Sequence, residues 1–131
     1  MESLSFDTTF LIDFQWERKL GKPGKAHRFL ECHQEKGAYL SIIAYGEYAE
    51  GFENPTHPAF LSVVESFEIL PLTRSVANHY AQITRTLRAS GQIIGANDLW
   101  IAATALSAGY PLVTGNTNRF GRIEGIQLLS Y

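Results

Sequence analysis

Short apolar segments alternate with longer stretches of helical periodicity along this chain, and that alternation narrows its folds more than any other feature. Apolar runs that read as strands lie at residues 4–6, 39–43, 67–70, 112–113 and 127–129. Between them, residues 73–88 place Val76, Tyr80, Ile83 and Leu87 at three- and four-residue steps, which marks a helix with one buried face. Residues 97–108 are rich in Ala and Leu and are followed by Gly109 and Pro111, both helix stop signals. Strands alternating with helices favour a mostly parallel sheet covered on both faces. The expected class is therefore α/β, three layers deep as α/β/α, with a mostly parallel central sheet. The chain shows no repeat, low-complexity tract or long Pro/Gly/Ser linker, so residues 1–131 are expected to form a single domain.

Composition excludes several function classes. Cys32 is the lone cysteine and cannot bridge internally, and His27, His33, His57 and His79 fall at no Cys/His spacing typical of zinc. The segment MESLSFD has an acid where a signal peptide carries basic residues, and no run approaches the ~20 apolar residues of a membrane span. A cytoplasmic protein with no membrane association is expected. The formal net charge of −2 argues against coating nucleic acid by charge alone, so any such contact must be local. Arg18, Lys19, Lys22, Lys25 and Arg28, with Arg85, Arg88, Arg119 and Arg122, are the candidates for it. The plain alternative is a solvated loop broken by Gly and Pro.

Three acids occupy similar places in the pattern. Asp7 follows the first strand and precedes a helical run, Glu47 lies early in a segment 44–50 that follows the second strand, and Asp98 opens the Ala-rich helix. Each has an ordinary reading: Asp7 as an N-cap, Glu47 as an exposed helical glutamate, Asp98 as a carboxylate favoured by the helix dipole. Their shared position is what argues for chemistry. In open α/β sheets ligands bind beyond the carboxyl ends of the strands, where strand order reverses. Three carboxylates about 5 Å apart would repel by roughly 3 kcal/mol per pair at an effective dielectric near 20, so such a cluster needs a cation or a trapped proton. Oxygen ligands without Cys or a paired His suit Mg²⁺ or Mn²⁺, and the waters such an ion retains suit phosphodiester hydrolysis. Asn116, after the fourth strand, could add an amide oxygen, or could simply be a turn residue beside Gly115. Asp13, six residues after Asp7, should point away from it on a regular helix.

The segments FDTTFLID, EYAEG (residues 47–51), GANDLWIAATAL and LVTGNTNRF resemble, in that order, the four conserved segments of PIN-domain ribonucleases, most closely the VapC toxins of bacterial type II toxin-antitoxin pairs. The resemblance spans nearly the whole chain. It implies a short parallel sheet flanked by helices, an Mg²⁺- or Mn²⁺-dependent endoribonuclease, a homodimer and inhibition by a small VapB-like antitoxin. It also implies that Asp7, Glu47 and Asp98 are the metal-site acids; of these, Asp7 and Asp98 are expected as direct ligands and Glu47 as the group that orients water. Many PIN domains carry Asp where this chain has Asn116, and an acid is common where it has Arg119. These departures point to one resident metal ion, with a second recruited by substrate phosphate.

Other acid-pocket folds fit less well. A receiver domain would want adjacent acids after the first strand and a lysine after a later one, but Thr8 follows Asp7 and residues 112–120 hold no lysine. A haloacid-dehalogenase-like phosphatase would want an acid where Thr9 stands. The rival from a different class is a PIN-like module that binds RNA or protein without cutting. The acids alone also admit DNA as substrate; only the resemblance favours RNA.

Overall fold

The computed structural model describes residues 2–131, so Met1, the first residue of the expected single domain, lies outside the described residues. Five strands form one sheet: β1 (Ser3–Phe6), β2 (Gly37–Ser41), β3 (Glu68–Leu70), β4 (Leu112–Val113) and β5 (Leu128–Leu129). Their order is β3-β2-β1-β4-β5, and every pairing is parallel. Seven helices connect them among the described residues: α1 (Thr8–Leu20), α2 (Lys25–Cys32), α3 (Ile42–Ala49), α4 (Pro58–Val64), α5 (Arg74–Ala89), α6 (Ala96–Ala108) and α7 (Thr117–Phe120). None is long and apolar enough to cross a membrane.

The period-two pattern of β4 divides its side chains between two cores, Val113 joining one and Leu112 the other. Leu4 and Phe6 pack with Phe10, Phe14, Leu40 and Phe60 in one. Leu112 lies in the other with Val76 and Leu87 of α5 and Leu99 and Ala102 of α6. Burying a side chain such as Phe6 contributes about 2 kcal/mol relative to leaving it in water. Two cores on opposite faces of one sheet make the three layers the alternating pattern predicts.

Boundaries moved where local chemistry overrode periodicity. Ile42 and Ile43 continue the apolar run of the expected strand 39–43, yet β2 ends at Ser41, whose hydroxyl oxygen accepts the Ala44 N–H at 3.0 Å and starts α3. A serine N-cap thus divides a run that hydrophobicity alone cannot. The helix expected over 73–88 is α5, with Thr73 outside it as N-cap, its side chain accepting the Val76 N–H. The helix expected over 97–108 is α6, closed by Gly109 in the left-handed conformation at φ 74°.

The basic stretch, for which the plain alternative is a loop broken by Gly and Pro, contains α2. Gly24, its N-cap, has no capping side chain, and Glu17 of α1 does that work instead. The Glu17 carboxylate accepts N–H groups of Gly24 at 2.7 Å and of Ala26 and His27 at 3.0 Å, and pairs with His27 Nδ1 at 2.6 Å. Burial would raise its pKa, but the backbone donors and His27 outweigh burial and hold it down at about 2. A carboxyl lowered on folding stabilises the fold above its ordinary value near 4.5, and that contribution is lost as pH falls toward 2. Glu17→Gln is therefore expected to cost about 2 kcal/mol at neutral pH. Denaturant midpoints of the two proteins should differ at pH 7 and converge toward pH 2.

Strand order reverses between β1 and β4, since the chain steps outward through β2 and β3 and then returns to the other side of β1. The crevice beyond these two strands is where an open parallel sheet binds ligands. Asp7 follows β1 there, and its N–H extends the ladder by donating to the Val113 carbonyl at 3.1 Å.

Candidate active site

Asp7 is 3% exposed and caps α1, with Oδ1 accepting the Phe10 N–H at 3.2 Å. Two hydroxyls complete its shell: Thr9 donates to Oδ1 at 2.6 Å and Thr114 to Oδ2 at 2.5 Å. Both hydroxyls are themselves aimed by the backbone after β4. The Gly115 N–H donates to Thr9 Oγ1 at 3.0 Å, and the Asn116 N–H to Thr114 Oγ1 at 2.9 Å. A close approach makes this possible, because a Cβ on Gly115 would sit 3.3 Å from Thr9 Oγ1 and 3.0 Å from the Tyr131 hydroxyl. Thr9 and Thr114 are thus positioning residues that sequence reasoning did not single out. Their signal was present, as small hydroxyl residues beside Asp7 and directly after the strand that pairs with β1.

Among the described residues, no cationic side chain forms an ion pair with Asp7. Burial pushes its carboxyl above the ordinary range, the hydrogen bonds from Thr114, Thr9 and Phe10 pull the other way, and the charge of Asp98 pushes it up further. A nearly buried carboxylate with neutral partners and a like charge nearby lacks a counter-ion.

Glu47 lies deeper in its helix than the segment 44–50 implied, because α3 starts at Ile42. It still reaches the rim, since helical side chains lean toward the helix N-terminus. Thr8 Oγ1 donates to Oε1 at 2.6 Å and Asn97 Nδ2 to Oε2 at 3.0 Å. Glu47 is therefore braced between the residue after Asp7 and the residue before Asp98. Asp98 lies in the first turn of α6, and its Oδ2 accepts from Arg119 Nη1 at 2.7 Å. Asn116 caps α7, its Oδ1 accepting the Arg119 N–H at 3.3 Å, which is the turn role allowed for it by the sequence. Asp13 points elsewhere and accepts from the Tyr131 hydroxyl at 2.6 Å.

Asp7, Glu47 and Asp98 are linked along one rim by Thr8 and Asn97, the neighbours of Asp7 and Asp98, which both donate to Glu47. Among the described residues no group of three or more His, Cys, Asp or Glu side chains is placed to hold a metal ion. Asp7 and Asp98 lie near enough for the charge of Asp98 to raise the Asp7 carboxyl pKa, and Mg²⁺ needs only one or two carboxylates because it keeps several waters. Of the basic residues, Arg119 and Arg122 line a cavity of ≈ 500 Å³ with Asp98 and Asn116. Arg18 and Lys19 border a separate groove of ≈ 700 Å³ against Phe52 and His57.

The family described as the PIN domain matches residues 5–126. Ribonuclease VapC1 of Methanocaldococcus jannaschii is 31% identical over 126 residues, covering 95% of this chain and 84% of its own. The tRNA(fMet)-specific endonuclease VapC of Shigella flexneri is 31% identical over 111 residues, covering 81% of this chain and 83% of its own. Among solved structures, the DNA-bound VapBC of Salmonella typhimurium superposes with a TM-score of 0.83 at 28% identity, covering 99% of this chain and 98% of that one. Nucleases of this family generally depend on a divalent metal. Fold, switch point and sequence agree across nearly the whole length: the chain belongs to the PIN-domain family and, within it, to the VapC ribonucleases.

Proposed function

We propose that Asp7 and Asp98 hold one Mg²⁺ ion, replaceable by Mn²⁺, at which this chain hydrolyses RNA phosphodiester bonds as an endoribonuclease. The observation that carries this reading is Asp7 itself, a 3% exposed carboxylate held in place by neutral donors and beside the charge of Asp98. A divalent ion bound there supplies a Lewis acid that eases deprotonation of water and offsets charge growing on the phosphate. Glu47, fixed by Thr8 and Asn97, orients the attacking water through its carboxylate oxygens. Thr9 and Thr114 hold Asp7 in one orientation, so that binding the ion requires no search among rotamers. Asn116 fixes the backbone of α7 at the edge of the cavity. Residues 1–131 act as one PIN unit.

Kinship to VapC proteins supports a toxin role with a VapB-like antitoxin as partner, a homodimeric state, and a cytoplasmic place of work where RNA is met. The Shigella relative makes transfer RNA the first substrate to try. The test is cleavage of labelled transfer RNA by the purified chain in Mg²⁺. The wild type is expected to cut at discrete sites and Asp98→Asn to leave the RNA intact. Equal cutting by both would remove Asp98 from the metal site.

A further inference from the structure

The two carboxylates proposed to hold metal are served unequally. Asp7 has only neutral donors, whereas Asp98 already carries a cation, the Arg119 guanidinium at 2.7 Å. The Asp98 side chain is 19% exposed and that of Arg119 50%, so the guanidinium reaches in from the solvent side over a mostly covered carboxylate. Its backbone is tied by the bond from its N–H to Asn116 Oδ1. A guanidinium offers five N–H donors in a rigid fork, and the recorded bond to Asp98 uses Nη1 alone. Arg122 lines the same cavity, as do Asn118 and Gly95. The pocket next to the acids thus has one acidic wall and two arginines, an arrangement suited to a phosphate that must lie close to carboxylates.

We propose that Arg119 does the work of a second cation at this centre: it keeps Asp98 Oδ2, limits the site to one divalent ion, and turns its remaining donors to an RNA phosphate that Arg122 shares. The inference rests on the metal-site reading above. A second ion on Asp98 would have to displace a charge-assisted hydrogen bond and settle beside a fixed positive charge, both unfavourable. A phosphate meets no such conflict, because the fork can donate to carboxylate and phosphate from different edges.

Two measurements test it. Mn²⁺ titration followed by electron paramagnetic resonance counts ions per chain, and fluorescence anisotropy of a labelled RNA in EDTA reads affinity without turnover. The wild type is expected to bind one Mn²⁺ and Arg119→Asp two. Arg119→Ala is expected to bind RNA about five- to tenfold more weakly at low salt, with a salt slope shallower by about one, and Arg119→Lys to keep the wild-type slope. Circular dichroism shows whether each variant keeps the fold, as expected for a half-exposed side chain. Two ions in the wild type, or unchanged RNA affinity and slope in Arg119→Ala, would overturn the role of Arg119 while leaving the metal site standing. No Mn²⁺ in the wild type, or undiminished binding in Asp98→Asn, would overturn the metal site and this inference with it.

Discussion

Asp7→Asn is expected to lower RNA cleavage by about a thousandfold or more, and to leave the protein as stable as the wild type or more so. The two effects have one origin. Asp7 is nearly buried and lies near the charge of Asp98, and together these outweigh the lowering effect of its hydrogen bonds from two hydroxyls and an N–H, so folding raises its pKa. An acid whose pKa is higher in the folded state costs stability when ionised. That cost is fully present above the raised value and vanishes below the ordinary carboxylate range, where both states are protonated. An Asn there keeps the volume and an acceptor for Thr9 and Phe10 but removes the charge. In metal-free buffer its melting temperature should exceed that of the wild type by a few degrees at pH 7, and the gap should close as pH falls. Calorimetry across pH, beside a cleavage assay, checks both. A variant that still cuts, or one destabilised equally at every pH, would show that Asp7 serves only as the α1 cap.

How much of this was legible in the sequence depended on whether the decisive interaction was local. The parallel sheet and helices α5 and α6 follow from hydrophobic periodicity and stop signals, which lie within one segment. The Ser41 cap was legible in principle, but the apolar pair Ile42 and Ile43 extends the strand pattern past it. Helix α2 was hidden because its N-terminus is satisfied by Glu17 from another helix, a partner that spacing cannot announce. The same holds in the crevice. Asp7, Glu47 and Asp98 could each be placed on the rim by position after a strand or at a helix start. The clasp of Thr114 on Asp7 joins residues 107 positions apart, and the Arg119 contact with Asp98 depends on how α7 is aimed. The side-chain partners of the other two acids were equally out of reach of the sequence: Thr8 and Asn97 hold Glu47, and Arg119 holds Asp98.

Removing divalent metal is expected to abolish cleavage by the wild type, by about a thousandfold or more, and adding Mg²⁺ or Mn²⁺ to restore it. The rival chemistry would use a histidine to activate the RNA 2′-hydroxyl, and the placement of the four histidines argues against it. His27 Nδ1 is engaged by Glu17 and its ring stacks on Phe14, with centroids 4.3 Å apart. His33 Nδ1 donates to the Phe29 carbonyl and His79 Nδ1 to the Ser75 carbonyl, each within its own turn of helix. His57 Nδ1 accepts the Ala59 N–H as the cap of α4. None lines the cavity shared by Asp98, Asn116 and Arg119. A general base must come within hydrogen-bond reach of its proton, and at this rim the carboxylates are the groups so placed. Treating the enzyme with EDTA, dialysing it, and assaying labelled RNA with and without each ion decides between the two chemistries. Cutting that survives chelation undiminished would transfer the reaction to a histidine and leave Asp7 and Asp98 without a catalytic role.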